Sequence, residues 1–306
     1  MPEITLVGTG GMMPLKYRWL TSCYIEHNGS AVLIDCGEGT QIALAQAECK
    51  ISRINVLLIT HTHADHVSGL PGFLLSLGNS ERTEPLDIYV PYGKTKIIKN
   101  LMCICDRLDF DVRIHELSTK DESSFIAETI DPMLEVRSLP LRHSCDCLGY
   151  SLTFRRKQVF LPDEAKRLDV PLEKWKILHR GESVLLDDGR TITPDMVTQN
   201  SRRPIKITYV TDTLPFAAIS EFAYGSQLFI CEGMYGDRDK KKSMNHKGHM
   251  LMQDACRLAQ NAQAEQLWLT HYSPAEFYPE NYSKELKKLF ENIVISKDGQ
   301  KTEIKD

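Results

Sequence analysis

Short apolar runs separated by polar turns set the rhythm of the first third of the chain. "EITLVGTG" and "SCYIEHNGSAVLIDCG" read as strands, and Asn28-Gly29 supplies the tight turn that folds the second run into a hairpin. "TQIALAQAECK" carries apolar residues at helical spacing, "INVLLIT" is a buried strand, and "GLPGFLLSLGN" is a short apolar helix. A second series follows, "LDIYVPYG", "FDVRIHEL", "LEVRSLPLRH" and "GYSLTFRR", all strand-like. Towards the end come the strands "KITYVTDT" and "QLFICEG", the helix "LMQDACRLAQNA" and the strand "EQLWLTH". Strands interleaved with helices predict an α/β protein with layered sheets. Residues 151 to roughly 204 break this rhythm. They are charged, weakly periodic and contain "LDDGR", a hairpin-turn signal, so they read as an arm inserted into a single domain spanning 1–306.

The strands share one feature: Asp35, His61, His143, Asp212, Glu232 and His271 each stand at the end of an apolar run. In layered α/β architectures ligands gather where loops leave the strand ends. Six such ends, far apart in sequence, can therefore converge on one site.

Composition narrows the setting more than the chemistry. The chain has 306 residues, enough for a sizeable core, and 42% are hydrophobic and 25% charged, as in ordinary globular proteins. With 37 Lys and Arg against 41 Asp and Glu, the net charge of −4 gives no global pull on nucleic acid, so any such binding needs a local basic patch. Nine scattered cysteines form no regular framework, and "MPEITLVGTG" lacks the layout of a signal peptide. Both point to a reduced, cytoplasmic setting. The C-x-C pairs Cys103/Cys105 and Cys145/Cys147 read as small buried apolar residues. No apolar run approaches the roughly 20 residues needed to cross a bilayer, so no membrane partner is expected.

The chemistry starts at "LLITHTHADHVSGL". His61 and His63 leave an extended backbone on the same face, while Asp65 and His66 follow where the strand gives way to a turn. Imidazole and carboxylate are a donor set that zinc favours and manganese or iron tolerates. A short stretch of this kind can serve two metals a few ångströms apart, with further ligands drawn from elsewhere. His143, Asp212 and His271 are weak candidates singly; together they complete the set, with Asp212 able to bridge.

"THTHADH" followed by His and Asp at later strand ends resembles the metallo-β-lactamase fold superfamily. "LVGTGGMMPLKYR", "LIDCGEGTQ", "LRHSCDCLGY", "YVTDT", "CEGMYGD" and "GHMLMQDACRLAQNAQAEQLWLTHYS" are similar to its ribonuclease Z branch, over essentially the whole chain. That resemblance implies a four-layer αβ/βα fold and two Zn2+ per chain, with Mn2+ or Fe as alternatives. One ion would take His61, His63 and His143. The other would take Asp65, His66 and His271, with Asp212 and a hydroxide bridging. Asp35 would orient a ligand histidine, although a strand-end carboxylate also suits a local turn. Asp65 would accept the nucleophile's proton, and His249, held by Glu232, would donate one to the leaving group. His249 precedes His271 by the family's interval, whereas its neighbour His246 does not.

The implied reaction is endonucleolytic removal of the 3′ trailer of precursor tRNA by a homodimer. Lys16 and Arg18, the arm with Lys174, Trp175 and Lys176, and a cluster from Arg238 to Lys247 are the candidate RNA contacts. Residues 151–181 carry eight basic groups, Arg156 and Lys157 among them, against four acidic ones. Two departures from the branch stand out: the arm has no Gly-Pro motif, and Met250-Leu251 replaces the usual Ser-Thr after His249. They keep two alternatives open, a same-fold hydrolase of a small phosphodiester or sulfate ester, and a non-catalytic RNA-binding relative.

Overall fold

Period-two patterning decides which strands are buried on both faces. In Ile54–Leu58, Leu57 joins a helix-side core with Leu70, Phe73 and Leu74, yet Val56 and Leu58 on the other face are equally buried. Strands of this kind need cover on both sides. The structure, a computed structural model, describes every residue except 106, 156–157, 200–202, 241–245 and 306.

The described residues divide into two compact units, Met1–Thr153 with Ile205–Lys305, and Phe154–Pro204. The larger unit holds two seven-stranded sheets. The first runs in the order Gln300–Glu303, Glu3–Gly8, Ser22–His27, Ser30–Ile34, Ile54–Leu58, Leu86–Pro91 and Val112–Leu117. Its first three pairings are antiparallel and its last three parallel. Asn28 and Gly29 turn the Ser22–His27 hairpin at φ 51° and 83°, left-handed values that Asn and Gly accept most readily.

The second sheet runs Ile293–Ile295, Leu267–Thr270, Leu228–Glu232, Ile205–Val210, Asp146–Phe154, Leu134–Arg142 and Ser123–Ile126. Its strands Ile205–Val210, Leu228–Glu232, Leu267–Thr270 and Ile293–Ile295 are parallel. Helices Thr40–Gln46, Leu70–Gly78 and Thr95–Met102 cover the first sheet through Leu44, Phe73, Leu77 and Ile98. Helices Ala217–Phe222 and Met252–Asn261 cover the second through Ile219, Phe222, Ala255 and Leu258. The result is helices, sheet, sheet, helices. Between the layers, Tyr150 donates from its hydroxyl to the Ile59 carbonyl at 2.7 Å and the Leu148 N–H donates to the Thr60 carbonyl at 2.8 Å.

The smaller unit has a core of its own. Two short antiparallel pairs, Val159–Phe160 with Thr198–Gln199 and Val184–Leu185 with Thr191–Ile192, accompany helices Pro162–Arg167 and Leu172–His179. Ala165, Val170, Leu178, Leu186, Ile192 and Val197 pack together, with Phe160 and Trp175 against them. Among the described residues, no helix is long and apolar enough to cross a membrane.

Candidate metal centre

The strand ends deliver their polar residues to one place, and the backbone bends sharply to do it. Asp35, Asp212 and His271 follow Ser30–Ile34, Ile205–Val210 and Leu267–Thr270, each with positive φ, 60°, 51° and 57°. Such a conformation costs a non-glycine residue about 1–2 kcal/mol, and the surrounding sheets hold it. "HTHADH" leaves Ile54–Leu58 and enters the short helix Ala64–Val67, so His61 and His63 stand before the turn and Asp65 and His66 within it.

Two clusters result, joined by Asp212. In the first, His61 Nε2 lies 2.9 Å from His63 Nδ1, and His143 Nε2 lies 3.2 Å from the same atom. In the second, His271 Nε2 is 3.5 Å and His66 Nε2 3.6 Å from Asp65 Oδ2. Asp212 Oδ1 lies 3.2 Å from His271 Nε2 and 3.4 Å from His66 Nε2, while its Oδ2 is 3.8 Å from both His61 Nε2 and His143 Nε2. His61, His66, Asp212 and His271 are almost fully buried.

The donors fit divalent cations. His143 Nδ1 donates to the Gly248 carbonyl at 3.0 Å, and His61 Nδ1 lies 3.1 Å from Thr60 Oγ1, which itself donates to Asp35. In neutral rings these bonds leave bare Nε2 lone pairs on His61 and His143, both aimed at His63 Nδ1, which can donate to only one of them, a crowding of acceptors that a cation relieves. Among the described residues, His66 Nε2 and both ring nitrogens of His271 are buried and make no well-aligned hydrogen bond, even though the carboxylates of Asp65 and Asp212 stand beside the two Nε2 atoms. Burial, then the charge of His66, hold His61 well below its ordinary pKa, and burial likewise lowers His143. Burial would lower His66 too, but the carboxylates of Asp35 and Asp212 outweigh it and lift the metal-free ring to about 10. Asp65 and Asp212 are held below the carboxylate range, burial being outweighed by the neighbouring histidines.

Asp35 is fully buried, its Oδ2 2.8 Å from His66 Nδ1 and its Oδ1 accepting from the Thr60 N–H at 2.8 Å. At the edge of the clusters His249 Nδ1 meets Glu232 Oε2 at 3.0 Å, while Glu232 Oε1 accepts from the Thr213 N–H at 2.6 Å. Burial opposes a proton on His249, yet Glu232 overrides it and lifts the pKa to about 9. His246 is exposed. Gly248, at φ 75°, has no room for a side chain, since a Cβ there would stand 2.9 Å from His143 Nδ1.

Three groups near the centre escaped the sequence reading. Thr60 links Asp35 to His61, the Met12 N–H donates to Asp65 Oδ2 at 2.6 Å, and Cys145 is half-buried within the reach of the first cluster. Thr60 could have been found as the strand residue before His61, whereas a backbone donor such as Met12 leaves no side-chain signature. Of the two C-x-C pairs, Cys147 is buried as expected, but Cys103 is exposed and Cys105 and Cys145 are half-buried.

The candidate RNA contacts do not gather in the same way. Lys16 and Lys176 are exposed. Arg18 departs from its expected role, being buried with its guanidinium donating to the carbonyls of Glu276 at 3.0 Å and Phe277 at 3.4 Å. Lys174 donates to the Leu185 carbonyl, and Trp175 donates through Nε1 to the Val170 carbonyl at 2.9 Å while packing on Phe160. Both tie the arm to itself. Arg238 pairs with Glu285 at 2.6 Å, and Lys240 stands over the Tyr235 ring. Arg156, Lys157, Lys241 and Lys242 lie outside the described residues.

Residues 2–199 match the family model described as Anti-Pycsar protein Apyc1. Ribonuclease Z of Agathobacter rectalis is 41% identical over 304 residues, 99% of this chain and 98% of its own. The chain belongs to the ribonuclease Z family and, over residues 2–199, to the one that model describes. It is therefore a metal-dependent hydrolase, an endoribonuclease by family. Two solved structures share the fold at a TM-score of 0.69. Human tRNase Z, short form, is 22% identical, and the metallo-beta-lactamase fold protein YhfI from Bacillus subtilis 17%, each aligned over 99% of this chain and 100% of its own. The expected metallo-β-lactamase fold is thus the observed one. Membership of a hydrolase family removes the support for a non-catalytic RNA-binding relative.

Proposed function

We propose that the chain is a zinc-dependent phosphodiesterase that cleaves the 3′ trailer from precursor tRNA and leaves a 3′ hydroxyl. The observation that carries this reading is the pair of clusters around Asp212 with the His249–Glu232 pair at their edge. His61, His63 and His143 would hold one divalent cation and Asp65, His66 and His271 the other, with Asp212 between them. Two bound Zn2+, or Mn2+ or Fe in their place, would supply Lewis acidity that activates water and offsets phosphate charge.

The chain's own groups do the rest. The Asp65 carboxylate takes the attacking water's proton, with the Met12 N–H holding its Oδ2 in place. His249 gives a proton to the departing 3′ oxygen, and Glu232 keeps the ring protonated and aimed. Asp35 and Thr60 fix the rings of His66 and His61. The arm at 154–204 and exposed Lys16 and Lys247 supply phosphate contacts, and a second copy of the chain presents its arm to RNA cut by the first.

A tRNA bearing a 3′ trailer, incubated with the zinc-loaded protein, tests this by end-mapping of the product. Cleavage at the trailer junction is expected, and an Asp65→Ala protein that cleaves at the wild-type rate overturns the assignment. A second reading keeps the fold and exchanges the substrate for a small phosphodiester or sulfate ester. The arm without Gly-Pro and the family model with a description other than ribonuclease Z favour it. Brisk turnover of an aryl phosphodiester with no RNA cleavage would establish that reading instead.

A further inference from the structure

Cys145 stands next to the first cluster without a task in the reaction described. Its Sγ and one ring nitrogen each of His61, His63 and His143 all lie within 4.8 Å of one another. We propose that Cys145 is a fourth protein ligand, through Sγ, of the cation held by His61, His63 and His143. The inference rests on the reading of that cluster as a metal centre.

Asp212 supplies the second, independent observation. A carboxylate shared evenly between two centres would sit at equal distances from both, but Asp212 leans to one side. Its nearer contacts, 3.2 and 3.4 Å, are with His271 and His66, and its contacts with His61 and His143 are both 3.8 Å. Each Asp212 oxygen thus faces one cluster, Oδ1 the second and Oδ2 the first, and the longer approach to His61 and His143 leaves the first cluster room for a further donor.

Size and softness fit sulfur. Zinc bonds of about 2.0–2.1 Å to nitrogen and 2.3 Å to sulfur imply edges of about 3.3–3.6 Å in a tetrahedron of three nitrogens and one sulfur. Two imidazole edges are already 2.9 and 3.2 Å. Rotation of a half-buried side chain closes the remaining distance, a movement of about 1 Å from the outer limit. The adjoining residue is anchored, since Asp146 pairs with Lys94 at 3.2 Å, so the loop carrying Cys145 is held at the site. Cys147 is excluded from the same role: it is fully buried, and its Sγ lies 3.8 Å from His61 Nδ1, the nitrogen that faces Thr60. A thiolate at this position would favour thiophilic cations such as Zn2+, Co2+ and Cd2+ over Mn2+.

Cobalt reports its own ligands and makes the test independent of activity. The full-length metal-stripped protein is titrated with Co2+ and followed by absorption. The expected result is visible d–d bands together with a near-ultraviolet sulfur-to-cobalt band. Cys145→Ser should lose the near-ultraviolet band and keep the visible ones, while Cys147→Ser keeps both. In Cd2+ against Mn2+ competition, Cys145→Ser should lower the preference for Cd2+ by at least about tenfold. Far-ultraviolet circular dichroism checks that each variant folds. Visible bands without the near-ultraviolet one in the unsubstituted protein, or a band of full intensity in Cys145→Ser, overturn the role of Cys145 alone. No cobalt absorption at all overturns the metal centre and the proposal with it.

Discussion

Replacing Glu232 with Gln isolates the charge that holds a proton on His249. The two side chains are nearly isosteric, Glu232 is fully buried, and the amide oxygen can go on accepting from the Thr213 N–H. What is lost is the negative charge 3.0 Å from His249 Nδ1. Burial already works against the protonated ring, and Glu232 is the largest influence opposing it, so the pKa should fall from about 9 towards the ordinary 6.5. The acid form is the one required, so activity falls as pH rises through this pKa. At pH 8 a donor with a pKa of about 9 is about nine-tenths protonated, whereas one at about 6.5 is protonated to roughly 3%. The expected loss is roughly thirty-fold in kcat, or about 2 kcal/mol. Bound cations lower the value in both proteins, so the observable is the separation between their alkaline limbs. Cleavage of precursor tRNA is measured from pH 6 to about 10 in each, alongside an aryl phosphodiester whose leaving group needs no proton. The separation should be large on RNA and should shrink on the aryl ester. Coincident limbs on RNA would refute the assignment of His249 as donor.

Other perturbations separate the remaining parts. Asp35→Ala removes the acceptor of the Thr60 N–H and the partner of His66 Nδ1, so metal affinity should fall about 10- to 100-fold by competition with a chelator. Gly248→Ala meets both a left-handed backbone and His143, and should lower stability by about 1–2 kcal/mol or more in urea melts and release metal more readily. In the metal-stripped protein the raised pKa of His66 contributes stability that is complete below about 6.5 and is lost as pH rises through about 10. Thermal melts should therefore weaken over that window, and zinc loading should remove the dependence. Joining residue 153 to 205 by a short Gly-Ser turn is feasible because Asp146–Phe154 and Ile205–Val210 are neighbours in one sheet. The shortened protein should keep aryl phosphodiester turnover and lose most binding of precursor tRNA in a filter assay.

The sequence was informative where side-chain type and strand position coincide. Apolar runs ending in Asp or His marked Asp35, His61, His143, Asp212 and His271, because the sheets bury the run and the loops leave at its end. The three ends with positive φ could not be read that way, since nothing in "LIDC", "YVTD" or "WLTH" announces a left-handed residue. That conformation is imposed by the sheets and the neighbouring loops. Backbone donors such as the Met12 N–H are equally silent. Arg18 shows the opposite failure: a basic residue in a loop beside the site suggests phosphate contact, yet tertiary packing spends its donors on three carbonyls.

Trp175 and Lys174 carry the same lesson into the arm. An aromatic ring flanked by lysines looks like a surface for RNA, but the ring closes a small core with Phe160, and Lys174 braces the Leu185 backbone. A segment of about fifty residues has little apolar surface to bury, so its large side chains are claimed by its own folding first. If the arm binds RNA as proposed, its exposed cations, Lys176 among them, would carry the contact, and its affinity for RNA should weaken steeply with salt. Hydrolysis of a small ester at the His and Asp clusters should depend on salt far less. A salt titration that weakened both reactions in parallel would show that phosphate contacts outside the arm dominate.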